Sequence, residues 1–581
     1  MTERAGISFR GVYRTSARGR AILRQLGSPQ EKISADWDML HFFGEEYGLR
    51  PEEDNKSVFN PGWLWRGLAK YAAPGESIPS TIAEQLVYHS GPKFEHGLRI
   101  DGQREGQSHP DLQGCGTSSP GNADPKGTRR GRRAHDGPCG DTSASRLDYR
   151  RRATVPVYVR PSDGGNGCDS VKRTSVYADA VNAAFRVAGN RSRGYKLLDV
   201  DTVLRNVLHM DKSAGLPFFG RVRDHVDRAR ELAERVRLGD RSFDPYVAFR
   251  RIQHGSSGSK GRLVWGSPLS TTILASQYSK AAFQGLRNIR AFAFGAKRST
   301  HGSYVTEFQS KYRRVYSLDF SGFDQTIPAH VIGDAFEILK TWLDMSEEEE
   351  RFFYRLTYDF IHSTIVMPDG LMYQKHRGVP SGSPFTSLIG SISNLIILQY
   401  VWIRLTGKAI DEFELAILGD DSIVATNANP SLKSIASAAA ELGMVVSPQK
   451  SQVATGPSEV VSFLGYDWLN GWPHRDKREL VQRIVFPERH TQWSLEYRNN
   501  RLYGYSSLCI EAYDLVLEYL HYKDVKVDAT LRRLAGSAKE YGSTVGSSGP
   551  GVLRYRESED KEFVKRDQYG RAILTVLGTV A

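Results

Sequence analysis

With 581 residues the chain is too long for one hydrophobic core and fits roughly two to four packed subdomains. It is 40% hydrophobic and 25% charged, the composition of a globular protein, and its formal net charge of +12 points to a polyanionic partner, either nucleic acid or an anionic membrane. The sequence has no run of about 18 purely apolar residues, the length a span needs, so nucleic acid is favoured: the best stretch, Leu388 to Leu405, is interrupted by Ser391, Ser393, Asn394, Gln399 and Arg404.

The opening residues, MTERAGISFRGVYRTSARGR, are basic and lack the apolar core of a secretory signal. Residues 1–98 read as an N-terminal segment of packed helices, on aromatic clusters such as FNPGWLWRGLAKY. Residues 99–170 are rich in Gly, Ser, Asp, Arg and Pro and nearly devoid of large apolar side chains. Such a stretch cannot bury enough surface to offset its ordering entropy, so a mostly disordered insert is expected. Its cluster Arg129, Arg130, Arg132 and Arg133 fits either an RNA contact or a solvated linker. The cysteines, Cys115, Cys139, Cys168 and Cys509, form no CxxC pair, which argues against structural zinc and for a reducing setting.

Ordered patterning resumes near Val171, and residues 171–312 alternate helix-like and turn-like segments. RRVYSLDFSGFDQTIP is a strand that ends in acidic residues and glycine. PAHVIGDAFEILKTWLDM opens with Pro328 in a first helical turn and carries the stripe Ile332, Ala335, Phe336, Leu339 and Leu343. A small-residue loop, GVPSGSPF, leads into a long apolar helix that runs to about Thr406. LAILGDDSIVATN reads as strand, tight turn, strand. PSLKSIASAAAELGM is a helix stopped by Gly443, and VVSFLGYDW a strand pair or turn. Beyond Trp472 the chain reads as mostly helical, with Leu508, Ala512, Leu515 and Tyr519 on one face.

The adjacent carboxylates Asp420 and Asp421 sit between two runs that want burial. Like charges resist that unless a cation accompanies them. If the strand ending at Asp319 neighbours their hairpin, all three carboxylates converge at one sheet edge. Carboxylate oxygens suit Mg2+, which takes few protein ligands and shares its shell with water and substrate phosphates. Two such ions serve in-line phosphoryl transfer.

In this company the sequence resembles the viral RNA-dependent RNA polymerases, whose motifs appear in order over residues 211–470. KSAGLPFFG is similar to the template-entry motif and GSKGRLVWGSP to the basic fingertip motif. DFSGFD, GVPSGSPFTSLIGSISN and LGDDS are similar to the first three palm motifs, SPQKS and FLGYDW to the fourth and fifth. The picobirnavirus and partitivirus polymerases of double-stranded RNA viruses share these features. The resemblance implies an α+β right-hand fold, with a small antiparallel palm sheet packed by helices on one side. Fingers would occupy 171–312, the palm 313–470 with a fingers insertion at about 344–376, and the thumb and tail 471–581. It implies an RNA-directed RNA polymerase using Mg2+, with Mn2+ as a substitute. Partners would be an RNA template and product, NTPs and a viral capsid protein, in the host cytoplasm within or attached to the virion.

The resemblance also implies roles. Asp319, Asp420 and Asp421 would hold metal, and Lys450 would protonate the departing pyrophosphate. Lys260 and Arg262 would grip the triphosphate. Asp324 would accept a hydrogen bond from the ribose 2′-OH, the group that separates RNA from DNA chemistry, supported by Ser381, Thr386 and Asn394. Gly378, Gly382 and Ser383 would form a loop tracking the incoming nucleotide. Ser213 and Gly215 would line the template entry, and Phe463 and Leu464 would support the primer by packing. Trp493, Tyr497, Arg498, Arg501 and Tyr503 fit either a nucleic-acid contact or a helix core with a basic face. The motif departs from many relatives at Gly390, where they carry Asn four residues after the Thr. Two other readings stay open. A reverse transcriptase is disfavoured by Asp324 and by Leu418-Gly419 before the paired aspartates. A non-catalytic RNA-packaging protein would have no need of converging carboxylates.

Overall fold

The carboxylates named above belong to a sheet whose residues alternate as a pleat requires. The computed structural model describes residues 6–27, 35–47, 49, 62–90, 99–100, 175–189, 194–255, 258–486, 501–502, 504–506, 508–523, 564–566 and 572–574. Four antiparallel strands lie in the order Leu415–Leu418, Asp421–Thr426, Arg314–Leu318 and Gln452–Ala454. Tyr316, Leu318, Leu415, Ile417 and Val424 join one core with the helices Ala329–Lys340, Thr386–Thr406 and Leu432–Glu441. Val315, Ala416, Ile423 and Ala425 join another with Phe308, Phe463 and Trp468. The expectation of cover on one side is thereby corrected. Helix Arg298–Lys311 and a three-stranded sheet, Val461–Phe463, Tyr466–Leu469 and Trp472–His474, close the second face. Each aliphatic side chain buried this way contributes about 1.5–3 kcal/mol, so burial on both faces fixes the register of the whole sheet.

Helix Ala329–Lys340 buries Ile332, Ala335, Phe336 and Leu339 as the stripe demands. It ends earlier than the pattern reaches. Pro328 is its N-cap rather than a first-turn residue, and Leu343 lies in a short strand beside Tyr195. Trp342 turns aside because its indole nitrogen donates to the Ala188 carbonyl at 2.8 Å. Among the described residues Thr386–Thr406 is the one helix long and apolar enough to cross a membrane. Ser391, Ser393, Asn394 and Gln399 on it are fully buried within the protein, so it is a core helix.

A second sheet runs in the order Ile7–Val12, Leu371–Lys375, Thr364–Val366, Tyr246–Gly255 and Gly258–Gly266. The first 98 residues thus hold more than helices: their first strand is an edge of this sheet. Helix Gly62–Ala69 then lies along Gly258–Gly266. A Cβ at Gly261 would sit 2.3 Å from the Trp63 ring, one at Gly67 would sit 2.8 Å from Leu263, and Tyr71 meets Trp265 edge-on at 5.2 Å. Four helical residues rise about 6 Å and two strand residues about 6.6 Å, so helix and strand stay in step from Trp63–Gly261 to Gly67–Leu263.

The C-terminal helices Lys477–Val485 and Ile510–Tyr522 pack on helix Trp37–Phe43. Ala512, Leu515 and Tyr519 are buried there and Leu508 is partly so. Apart from Arg99 and Ile100, the glycine-rich insert and its three cysteines lie outside the described residues, as do Trp493, Tyr497, Arg498 and Tyr503.

Candidate active site

Leu418 pairs with Asp421 across the hairpin, leaving Gly419 and Asp420 as a two-residue turn. Gly419 has φ +67°, the left-handed backbone that glycine adopts without strain. The long core helix ties this turn down. Ser391 Oγ accepts from the Gly419 amide at 2.7 Å, and Asn394 Nδ2 donates to the carbonyls of Gly419 at 3.0 Å and Asp420 at 3.3 Å. Ser391 and Asn394, two of the polar residues that interrupt the apolar run, are therefore the turn's anchors. Gly390 lies beneath the same turn, where an added Cβ would make ordinary contact with Gly419 Cα at 3.9 Å.

The strand carrying Asp421 neighbours the one that ends before Asp319, with Ser422 opposite Leu318. The Asp319 amide donates to Ser451 Oγ at 3.1 Å, and its carbonyl accepts from the Ser447 amide at 2.8 Å. That links Asp319 to the SPQKS turn, whose Lys450 Nζ stands 4.0 Å from the Asp319 carboxylate. Asp420 is open to solvent yet surrounded by protein on most sides. Burial raises its pKa and the Asp319 charge adds to the rise, while backbone amides and Arg262 oppose it. Asp421 is pushed up to about 7, by burial first and then by Asp420 and Asp319, with Arg475 pulling the other way. Asp420 and Asp421, held toward protonation by burial and by the neighbouring carboxylate charges, form with Asp319 a donor set that a divalent cation would relieve. Among the described residues no three such groups already close on one ion position.

Asp324 lies beyond the same strand. Burial, then the Asp420 charge, raises its pKa to about 7, and Arg262 opposes this. Arg262 is exposed, on the strand Gly258–Gly266, with its charge felt at both Asp324 and Asp420. Lys260 lies opposite Gln253 on that strand, its side chain outside the described atoms. The loop before the core helix presses on the same strand. Ser381 Oγ accepts from the Trp265 amide at 3.2 Å, and a Cβ at Gly382 would fall 1.9 Å from the Trp265 carbonyl oxygen. The Thr386 hydroxyl donates to the Pro380 carbonyl at 2.6 Å, closing the loop. Ser213 and Gly215 reach the strand's end from another side. Ser213 Oγ accepts from the Gly215 amide at 3.2 Å, and a Cβ at Gly215 would meet Ser267 O at 2.6 Å.

The structure thus gathers Asp319, Asp420, Asp421, Asp324, Arg262 and Lys450, with Ser381, Gly382, Thr386, Ser213 and Gly215 framing the strand above them. Asn394 stands apart from its expected role. It is fully buried, and its amide nitrogen is spent on the turn. Arg501 donates to the carbonyls of Arg483 and Ile484 at 2.7 and 2.9 Å, so it caps a helix end. Phe463 is core, and Leu464 sits in a hairpin turn at φ +55°. Sequence reasoning missed Tyr71, whose hydroxyl donates to Val379 O at 3.1 Å beside Asp324. It also missed Arg475, and Lys70, whose pKa is lowered by burial and by the charges of Arg262 and Arg66. The aromatic-basic run WLWRGLAKY was the available signal for Tyr71 and Lys70.

The family model described as viral RNA-dependent RNA polymerase matches residues 182–523. The RNA-directed RNA polymerase of Cryptosporidium parvum virus 1 is 29% identical over 181 residues, 29% of this chain and 32% of that one. That of Atkinsonella hypoxylon virus is 35% identical over 135 residues, 22% of this chain and 20% of the relative. The matches span about a third or less of these curated relatives. The crystal structure of a human picobirnavirus RNA-dependent RNA polymerase superposes with a TM-score of 0.52 at 16% identity, covering 66% of this chain and 75% of that one. Its insertion-loop deletion mutant gives 0.53 at 15%, covering 66% and 79%.

Proposed function

The chain belongs to the viral RNA-dependent RNA polymerases, and from that premise we propose that it copies an RNA template, transferring NMP from an NTP to an RNA 3′-OH with release of pyrophosphate. The observation that carries this reading is the meeting of Asp319 with the Asp420–Asp421 turn on neighbouring strands, beneath an exposed guanidinium. Asp319, Asp420 and Asp421 would hold Mg2+, or Mn2+ in its place. When bound, such ions lower the pKa of the attacking hydroxyl and stabilise charge on the leaving phosphates.

The remaining work belongs to the chain's own groups. Arg262 offers a planar fork to the triphosphate oxygens, with Lys260 on the same strand as a second cation. Lys450, held beside Asp319, donates a proton to the departing pyrophosphate. Asp324 accepts from the ribose 2′-OH. Ser381, Gly382 and Thr386 shape the loop over the sugar, while Asn394 holds the turn from behind. Ser213 and Gly215 border the template path. Residues 171–312 act as fingers, 313–470 as palm with the insertion at 344–376, and 471–581 as thumb and tail. The enzyme would serve a viral RNA genome in the host cytoplasm, inside or attached to a capsid.

The test is Mg2+-dependent incorporation of labelled NTP on single-stranded RNA, with wild type and Asp420→Asn side by side and dNTP as control. Wild type should incorporate rNMP, and Asp420→Asn should bind RNA equally while losing incorporation. Equal incorporation by both proteins would overturn the assignment.

A further inference from the structure

Lys375 is completely buried, and burial pushes its pKa well below the usual lysine value, yet three backbone carbonyls surround its Nζ. Its ammonium donates to the carbonyls of Phe360 at 2.5 Å, Ile361 at 3.0 Å and Gly378 at 2.7 Å. An ammonium has three donors, and each has its acceptor. Phe360 and Ile361 end the helix Glu347–Ile361, where carbonyls lack intrahelical partners and the helix dipole is negative. A cation there is well placed, and the buried Asp359 carboxyl lies close enough to act on its charge. Packing alone does not call for a lysine, since an apolar residue of that volume fills a core at lower cost.

The third acceptor shows what the ammonium is for. Gly378 begins the loop that leads to Ser381 and Gly382, and its amide donates to Ile327 O at 2.8 Å. The next amide, Val379, donates to Asp324 O at 2.6 Å. The Arg377 guanidinium bonds Thr326 O, and the Tyr71 hydroxyl reaches Val379 O at 3.1 Å. Gly378 has φ +70°, and a Cβ on it would lie 2.6 Å from Asp324 O and 2.8 Å from the Tyr71 ring. A continuous set of short contacts therefore runs from Lys375 Nζ through Gly378 and Val379 to the backbone of Asp324.

We propose that Lys375 is a positioning residue for sugar selection: its buried ammonium pins the Gly378–Val379 loop to a helix end, and the loop sets the place of Asp324 against the ribose. Tyr71, from the N-terminal segment, braces the same loop. The proposal rests on Asp324 acting at the 2′-OH in the polymerase reading above.

The experiment compares Lys375→Met and Tyr71→Phe with wild type, measuring kcat/KM for rNTP and dNTP on one RNA template. Template binding and thermal melting are followed in parallel. Loss of the pin should lower the rNTP-to-dNTP ratio by about tenfold or more in Lys375→Met, since small displacements of a reacting geometry carry large rate costs. Tyr71→Phe should shift the ratio in the same direction by less, with template affinity unchanged. A merely structural lysine would slow both sugars alike, and an unchanged ratio in folded Lys375→Met would overturn the proposal. If Lys375→Met does not fold, Tyr71→Phe decides: a wild-type ratio there refutes the pin. If wild type incorporates neither sugar while binding RNA, the polymerase reading itself fails, and that outcome is distinct from an active enzyme whose selectivity ignores both substitutions.

Discussion

Asn394→Leu separates two uses of one buried side chain. The substitution keeps the volume and removes the amide. Two neutral hydrogen bonds to the Gly419 and Asp420 carbonyls are lost, each worth about 1 kcal/mol net. Against that, Asn394 Oδ1 is buried without a hydrogen-bond partner, a condition that costs about 1–3 kcal/mol and that leucine relieves. The two effects offset, so the melting curve should move by no more than the equivalent of about 1 kcal/mol. Activity should move far more. The turn bearing Asp420 loses its tether from behind, and a displacement of about 1 Å costs on the order of a hundredfold in rate. The assay is steady-state incorporation with NTP varied: kcat should collapse while NTP KM and the preference for rNTP hold. A ribose contact would show the opposite, with kcat held, NTP KM raised and dNTP better accepted. That result would refute the positioning role and restore the role expected from the sequence motif.

Acid should weaken the fold through His301, which burial holds down at a pKa of about 4, with the Ala293 carbonyl opposing. The unfolded chain binds that proton from the ordinary histidine value of 6.5 downward, so the stabilisation is complete above that pH and lost as pH falls through 4, about 3 kcal/mol in all. Denaturant titrations of His301→Leu at pH 7 and pH 4 should show a shallower acid loss than wild type; parallel losses would contradict the assignment, with His362, also depressed by burial, remaining in both proteins. Gly382→Ala places a methyl where 1.9 Å separates it from Trp265 O, so the loop must lift from the strand at a cost of about 1–3 kcal/mol. Raised NTP KM and a lowered melting point should appear together, and wild-type values for both would show that the loop does not press on the fingertip strand during turnover.

Much of the palm was legible because its signals are local. Leu415–Leu418 and Ile423–Ala425 are short apolar runs on either side of a glycine turn, so the hairpin could be read without its neighbours. What could not be read arises from pairing across distance. Ile7–Val12 reads with the helical N-terminal segment until residues 371–375 lie beside it. Tyr71 gains its meaning only where Val379 approaches. Asn394 sits at a motif position, and nothing in its neighbours in sequence tells whether its amide faces a ligand or the turn behind it. Lys375 is hidden for a different reason: a lysine between strand residues reads as solvated, and only the three carbonyls around it reverse that.

The N-terminal contacts also bear on how the chain is made. Asp36 donates its amide to Val485 O at 2.8 Å, and Asp38 accepts from Tyr519, 481 residues later. At ribosomal speeds of about 5–20 residues per second, the partner arrives roughly 25–100 s after Asp38 leaves the ribosome. Until then Met39 and Phe43 lack the apolar surface that buries them. Contacts of such sequence separation form late because loop closure precedes their reward. Residues 36–43 are therefore among the last to settle, and nascent chains arrested before helices Lys477–Val485 and Ile510–Tyr522 should expose this helix to proteases that spare it in the finished protein.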